Sequence, residues 1–134
     1  MMMQQLHPLK MINKFLLILT CFAFLSANTE QEKEIALHHF MQGEFLMNQG
    51  NYALAVLEFQ DAIDLDPNAA TIHISIADAY RRLGKGKRAE DHLMIALDLD
   101  PKDLEAREML GQLYLAQNKF TDAELVFKEL KLLD

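Results

Sequence analysis

An internal repeat of 34 residues governs what this chain can fold into. The segment QDAIDLDPNA at residues 60–69 returns as MIALDLDPKD at residues 94–103. At the same offset of 34 residues, segments 46–59, 80–93 and 114–127 align with one another without a gap. A period of this length is typical of stacked supersecondary units, each of which needs its neighbours to bury an apolar face. The alignment predicts three units, at residues 36–69, 70–103 and 104–134.

Each unit has the pattern of two helices. In its second half, apolar residues follow one another at steps of four and three, which places them on one face of a helix. These residues are Ala55, Phe59 and Ala62, then Ala89, Leu93 and Ala96, then Ala123, Phe127 and Leu130. A short polar break precedes this helix, and Asp-Pro closes it in the first two units, because proline disfavours helix for the residue before it.

These residues resemble the tetratricopeptide repeat (TPR) family. The match covers residues 36–134 and includes the small residues Gly43, Ala77 and Gly111, the tyrosine place with Leu46, Tyr80 and Tyr114, the loop residues Gly50, Gly84 and Asn118, and the closing prolines Pro67 and Pro101. At the place that usually holds tryptophan, this chain has His39, His73 and Arg107. The resemblance implies an all-α, right-handed solenoid of helical hairpins with about six helices.

A leader precedes the repeats. Its apolar run, residues 15–27, has 13 residues, whereas a membrane span needs roughly 20, so the pattern predicts a signal peptide. We therefore expect an N-terminal extension and signal peptide over residues 1–27, a short segment over 28–35, and export to the periplasm or cell envelope. An uncleaved leader that forms a membrane-anchoring helix is one alternative. Lipidation at Cys21, the only cysteine, is another, although Thr20 is a poor residue before such a site.

Charge and motifs exclude several classes of function. Without Lys10 and Lys14 of the leader, 11 basic and 20 acidic residues remain, a net charge of −9 that repels nucleic acids and anionic lipid surfaces. The basic stretch RRLGKGKR at residues 81–88 lacks the strand and the Ser or Thr of a phosphate-binding loop, and it falls in the break between two helices. The sequence therefore predicts no nucleotide or nucleic-acid site.

The titratable residues show no catalytic pattern. The histidines His38, His39, His73 and His92 lack the ligand spacing of a zinc site, and partly buried packing histidines are the better interpretation. The aspartates near each closing proline recur because the turn recurs. We expect no enzyme, no cofactor and no metal.

The concave face is the candidate site, because the first helices of such repeats line the groove in the family that this chain resembles. By alignment, the candidate partner-binding residues are Leu37, Phe40, Met41, Glu44, Met47, Ile74, Ser75, Asp78, Arg81, Glu105, Glu108, Met109 and Gln112. This surface is methionine-rich at one end and acidic at the other, which favours a peptide with apolar anchors and some positive charge. In the alternative interpretation, Phe40 and Met47 pack under residues 31–35.

The sequence thus predicts a non-enzymatic protein-interaction adaptor or scaffold whose partner is a protein or peptide. The more specific alternative is a pilotin-like repeat lipoprotein in pilus or secretin assembly. A third interpretation is a structural subunit that self-associates through its C-terminal helix, where Leu132 and Leu133 have no following helix to cover them. Contact with a membrane is expected only through an uncleaved leader or a lipidated Cys21.

Overall fold

The structure, a computed structural model, describes residues 6–133, and it describes the side chains of residues 14–132 except Phe24. Within residues 6–133 there are six helices and no strand, which confirms the predicted all-α class and helix number. The helices are α1 (Leu6–Asn48), α2 (Tyr52–Leu65), α3 (Ala70–Arg82), α4 (Gly86–Leu99), α5 (Leu104–Ala116) and α6 (Phe120–Leu133). The contacts divide the chain between Glu34 and Ile35 into two units.

In the unit that begins at Ile35, the helices pack in chain order. Helix α3 contacts α2, α4 and α5, and α5 also contacts α4 and α6. Helices α3, α4 and α5 therefore each pack against the helix before and the helix after, as the interior of a repeat array requires.

The turn inside each repeat uses a left-handed residue. Gly50, Gly84 and Asn118 have φ values of 77°, 71° and 59° and occupy the same place in successive repeats. After α3, the Gly84 amide donates to the Arg81 carbonyl at 3.0 Å and the Lys85 amide donates to the Tyr80 carbonyl at 2.8 Å. This bond pair is a Schellman motif, which satisfies the last carbonyls of the helix. It confirms that Gly84 ends a helix.

The second helix of each of the first two repeats ends at the predicted Asp-Pro pair. Asp66 and Asp100, each followed by proline, leave the helical region with φ values of −135° and −133°. Asp103 then caps α5, because its Oδ1 accepts a hydrogen bond of 2.8 Å from the Ala106 amide. The Asp-Pro pair thus ends α4 and the capping Asp103 starts α5, whereas α3 begins after Ala69 without a side-chain cap.

The core is built from matched small and large side chains. Ala55, Phe59, Ala89 and Leu93 are at most 1% exposed. In the first and third repeats, a glycine on the first helix faces a phenylalanine on the second. A Cβ built at Gly43 would meet the Phe59 ring, and one built at Gly111 would meet the Phe127 ring. The close approach of each helix pair therefore depends on the small residue.

In the unit that precedes Ile35, the large apolar side chains that the structure describes are solvent-exposed, from 60% at Leu17 to 74% at Phe22. Cys21 is an exposed free cysteine. Among the helices that the structure describes, none combines the length and the apolarity required to span a bilayer.

Candidate protein-binding groove

The first helix of the first repeat supplies one side of the groove. Phe40, Glu44 and Met47 lie at intervals of four and three residues on α1, so they share a face, and all three are half-buried. The Phe40 ring packs against the fully buried Phe59 ring, with a centroid distance of 5.9 Å. Phe40 and Met47 therefore rest on the core of the repeats while part of each side chain stays accessible.

A hydrogen bond joins this face to the second repeat. The Ser75 hydroxyl on α3 donates to Glu44 Oε1 on α1 at 2.5 Å. Both side chains are half-buried, and a charge-assisted bond of this kind is short and strong. The bond holds the Glu44 carboxylate at the junction of two repeats, so it places a negative charge in the groove.

An open cavity of about 560 Å³ extends from this junction toward the turn of the first repeat. Its lining combines the predicted groove residues Glu44, Met47 and Asp78 with Tyr52 and Arg82, which the sequence analysis missed. Asp78 Oδ2 lies 3.4 Å from Arg82 Nε, and the Arg82 guanidinium lies 5.7 Å from the Tyr52 ring centroid. The Asp78 carboxylate, more than the contact with Tyr52, raises the pKa of Arg82.

The thirteen predicted groove residues differ in accessibility. Leu37, Met41, Arg81, Glu105, Glu108 and Gln112 are exposed, and Phe40, Glu44, Met47, Ser75, Asp78 and Met109 are half-buried. Ile74 is only 5% exposed and belongs to the core, so it does not line the groove as predicted. The reason is that α3 is packed against three other helices and has little free surface.

The third repeat contributes polar side chains on α5. Gln112 Nε2 donates to Glu108 Oε1 at 3.0 Å, while Met109 packs against the core. Among the described residues, no hydrogen bond or ion pair joins Glu105, Glu108 or Gln112 to α3. The structure therefore brings together Glu44, Met47, Ser75 and Asp78 at the junction of the first two repeats. The predicted groove residues of α5 lie separately, on the first helix of the third repeat.

Three of the five basic residues at 81–88 pair with neighbouring carboxylates. Arg81 and Arg82 both pair with Asp78, and Lys87 Nζ lies 2.9 Å from Asp91 Oδ1. Arg88 lies over the Tyr80 ring, 5.5 Å from its centroid. Only residues 83–85 form the expected break between helices, because Arg81 and Arg82 end α3 and Lys87 and Arg88 lie in the first turn of α4.

The residues at the tryptophan place make polar contacts instead of apolar ones. His73 is 4% exposed, and its ring nitrogens lie 3.1 Å from His92 Nδ1 and 3.0 Å from the Pro67 carbonyl oxygen. Arg107 Nη2 likewise donates to the Pro101 carbonyl at 2.6 Å. The residue at this place therefore anchors its repeat to the closing proline of the repeat before it.

Comparison with known proteins agrees with this architecture. Residues 74–132 match the family described as tetratricopeptide repeat, and residues 43–84 match that described as TPR repeat. The chain belongs to the tetratricopeptide repeat family. Together the matched ranges run from residue 43 to residue 132 and overlap all three predicted repeats.

Similar solved structures are TPR domains. The first TPR domain of Spaghetti (RPAP3), bound to the HSP90 peptide SRMEEVD, is 25% identical with a TM-score of 0.73, covering 76% of this chain and 81% of that chain. The TPR2B domain of yeast Sti1, in a complex with pHsp70, is 18% identical with a TM-score of 0.73, covering 75% of this chain and 81% of that chain. At 18% identity the likeness shows the fold alone.

The curated relatives are much longer proteins. Human DnaJ homolog subfamily C member 3 is 31% identical over 119 residues, which are 86% of this chain and 23% of the relative. Protein O-mannosyl-transferase F38B6.6 of Caenorhabditis elegans is 31% identical over 75 residues, which are 56% of this chain and 11% of that protein. The chain thus spans about a tenth to a quarter of these relatives, and the match is to a part of each.

Proposed function

We propose that this TPR protein is a non-enzymatic adaptor that binds a segment of another protein in the groove formed by α1, α3 and α5. The observation that carries the proposal is the junction of the first two repeats. There, the half-buried carboxylates of Glu44 and Asp78 lie beside the apolar side chain of Met47 in one open cavity. The lining of this cavity is mainly polar, so the junction suits the polar or charged part of an extended or helical peptide, with Met47 as an apolar contact.

The charge of the groove favours a cationic segment with apolar anchors. The four carboxylates of Glu44, Asp78, Glu105 and Glu108 outnumber the two cations Arg81 and Arg82, which both pair with Asp78, so a net charge of about −2 remains. The SRMEEVD peptide bound by the first domain of Spaghetti carries three acidic residues and, as a C-terminal peptide, a terminal carboxylate. Like charges in a partly desolvated groove repel, so this chain should disfavour such a peptide.

The adaptor is proposed to work after export, in the periplasm or cell envelope. Support comes from the leader, where the apolar residues 15–19 are all exposed and point to every side of the helix. N-terminal sequencing of the protein recovered from cell fractions tests this point. A mature start near residue 28 supports a signal peptide, an intact leader in the membrane fraction supports an anchor, and an acyl group on Cys21 in the intact mass supports the pilotin-like lipoprotein.

A pair of peptides tests the preference for positive charge. The first peptide is SRMEEVD, and the second has lysine at its three acidic positions and an amidated C-terminus. We expect the full chain, kept soluble in mild detergent, to bind the second peptide at least about tenfold more tightly in fluorescence anisotropy at low salt. Equal or reversed affinities would contradict the proposed ligand class.

Two matched charge reversals locate the binding surface. Glu108→Lys changes the groove, whereas Glu124→Lys makes the same change on an exposed side chain of α6. We expect the first variant to weaken binding of the lysine peptide and the second to leave it unchanged. An equal loss in both variants would show that the net charge of the protein, and not the groove, determines binding.

A further inference from the structure

A cluster of three potential metal ligands lies in the first repeat, outside the groove residues. His39 comes from α1, and Glu58 and Asp61 come from α2. One ligand atom from each side chain lies within 4.8 Å of the others. Among the residues that the structure describes, this is the only group of three such side chains.

The cluster is partly assembled without a cation. His39 Nδ1 lies 2.8 Å from Glu58 Oε2, and the two side chains are 29% and 33% exposed. Glu58 and Asp61 are three residues apart on α2, so they lie on the same face of that helix. Helix packing, and not a flexible loop, therefore brings an imidazole and two carboxylates together.

The charges of the cluster favour a cation. With His39 neutral, the two carboxylates carry a charge of about −2. Across the described residues, neither carboxylate makes an ion pair with a lysine or an arginine, and Glu58 has only His39 as a partner. This differs from Asp78, Glu90 and Asp91, which are all paired with basic side chains.

The other repeats lack the complete set at the equivalent places. In the second repeat, His73 is paired with His92, but Ile95 replaces Asp61, and the second His73 nitrogen is bonded to the Pro67 carbonyl. In the third repeat, Arg107 replaces the histidine. The ligand set is thus particular to the first repeat and does not follow from the repeat pattern.

We propose that His39, Glu58 and Asp61 bind a divalent transition-metal ion of the zinc class. Imidazole and carboxylate are both ligands for zinc, with bond lengths of about 2.0–2.2 Å, so two ligand atoms on one tetrahedral ion are about 3.3 Å apart. The His39–Glu58 contact of 2.8 Å therefore has to open by a fraction of an ångström, and Asp61 has to move inward. An exposed aspartate can make that movement through its side-chain torsions. Water completes the coordination.

The expectation from the sequence was that no metal binds. The sequence analysis considered the four histidines together, but the structure pairs His39 and His73 with different residues. Bound zinc would join α1 to α2 within the first repeat and replace the hydrogen bond between His39 and Glu58.

Equilibrium dialysis of the untagged full chain against zinc chloride tests the proposal, in mild detergent at neutral pH. We expect one zinc ion to bind and to raise the melting temperature. Asp61→Asn should weaken binding by about tenfold or more, because it removes one of three ligands and leaves the His39–Glu58 pair in place. His39→Gln should do the same, and circular dichroism checks that it stays folded.

Two controls separate the site from non-specific attraction. His38→Gln changes the neighbouring exposed histidine, and binding should persist. Magnesium should not compete with zinc, because imidazole is a poor ligand for a hard cation. No zinc binding, unchanged binding in Asp61→Asn, loss of binding in His38→Gln, or equal competition by magnesium would each overturn the proposal.

Discussion

Gly43→Ala should destabilise the protein by crowding the first helix pair. A Cβ at this position would lie 2.5 Å from Phe59 Cδ1 and 2.9 Å from Phe59 Cζ. Side-chain carbons do not approach this closely, so either the ring or the helix has to move. Phe59 is 0% exposed, so its ring has no space into which it can turn.

Two effects of opposite sign determine the size of the change. Overpacking a rigid core costs up to about 3 kcal/mol. Alanine in place of glycine inside a helix returns about 1 kcal/mol, since glycine is the weaker helix former. We expect the free energy of unfolding to fall by about 2 kcal/mol. For a unit of about 100 residues, that loss lowers the melting temperature by about 10 °C.

The second repeat shows how the crowding can be relieved. There, Ala77 stands at the place of Gly43, and Leu93 stands at the place of Phe59. Both residues are fully buried, so alanine is compatible with the smaller leucine. Phe59→Leu should therefore partly rescue Gly43→Ala. In a double-mutant cycle, the paired variant should lose at least about 1 kcal/mol less than the sum of the single variants.

Gly111→Ala in the third repeat is the matched comparison. Its added Cβ would lie 2.7 Å from Phe127 Cζ, but Phe127 is only half-buried and its ring can move toward solvent. We expect this variant to lose less than half as much stability as Gly43→Ala. Urea unfolding followed by circular dichroism measures the wild type and all four variants. Additive single-variant effects, or no loss in Gly43→Ala, would refute the packing argument.

Three further predictions concern the second repeat and the last helix. Burial, and to a smaller extent the neighbouring His73, lowers the pKa of His92. As the pH drops below about 6.5, His92 is protonated in the unfolded chain before it is protonated in the folded one, so the free energy of unfolding should fall by at most about 1.4 kcal/mol per pH unit. His92→Gln should flatten that pH dependence in urea titrations. Gly84→Ala should cost about 1–2 kcal/mol in the same assay because φ is 71°, and Gly84→Asn should cost less because Asn118 adopts this conformation in the third repeat. Leu132 is 80% exposed, so we expect the protein to self-associate through α6. In sedimentation velocity, Leu132→Glu should restore a monomer. A wild-type protein that is monomeric at every concentration would contradict this prediction.

The helix boundaries were predictable because local chemistry determines them. Gly50, Gly84 and Asn118 adopt the left-handed conformation that ends a helix, and Asp66 takes the extended conformation required before proline. Each of these signals acts within a few residues of itself. Because the left-handed residue occurs three times and the Asp-Pro pair twice, these signals define the helix ends without any information on packing.

The groove was less predictable because accessibility depends on neighbours. Ile74 occupies an alignment position that would face the groove, yet α2, α4 and α5 enclose α3 closely enough to bury it. The sequence analysis missed Tyr52 and Arg82 because their place in the cavity also depends on neighbouring elements. Each lies at the end of a helix, and only the turn geometry of two successive repeats brings them to the same cavity.

The place that tryptophan usually holds shows the limit of a repeat alignment most clearly. Alignment equates His39, His73 and Arg107, but their partners are Glu58, His92 and Glu129. The first two partners are 19 residues away, whereas the third is 22 residues away, one helical turn farther along α6. The longer arginine reaches that next turn, where Val126 has replaced the nearer polar residue. All three repeats therefore share a polar contact between their two helices. The residue types that make this contact, and the position of the partner on the second helix, differ from repeat to repeat. Only in the first repeat do both places on the second helix carry a carboxylate, so the contact in that repeat alone offers three ligands to a cation.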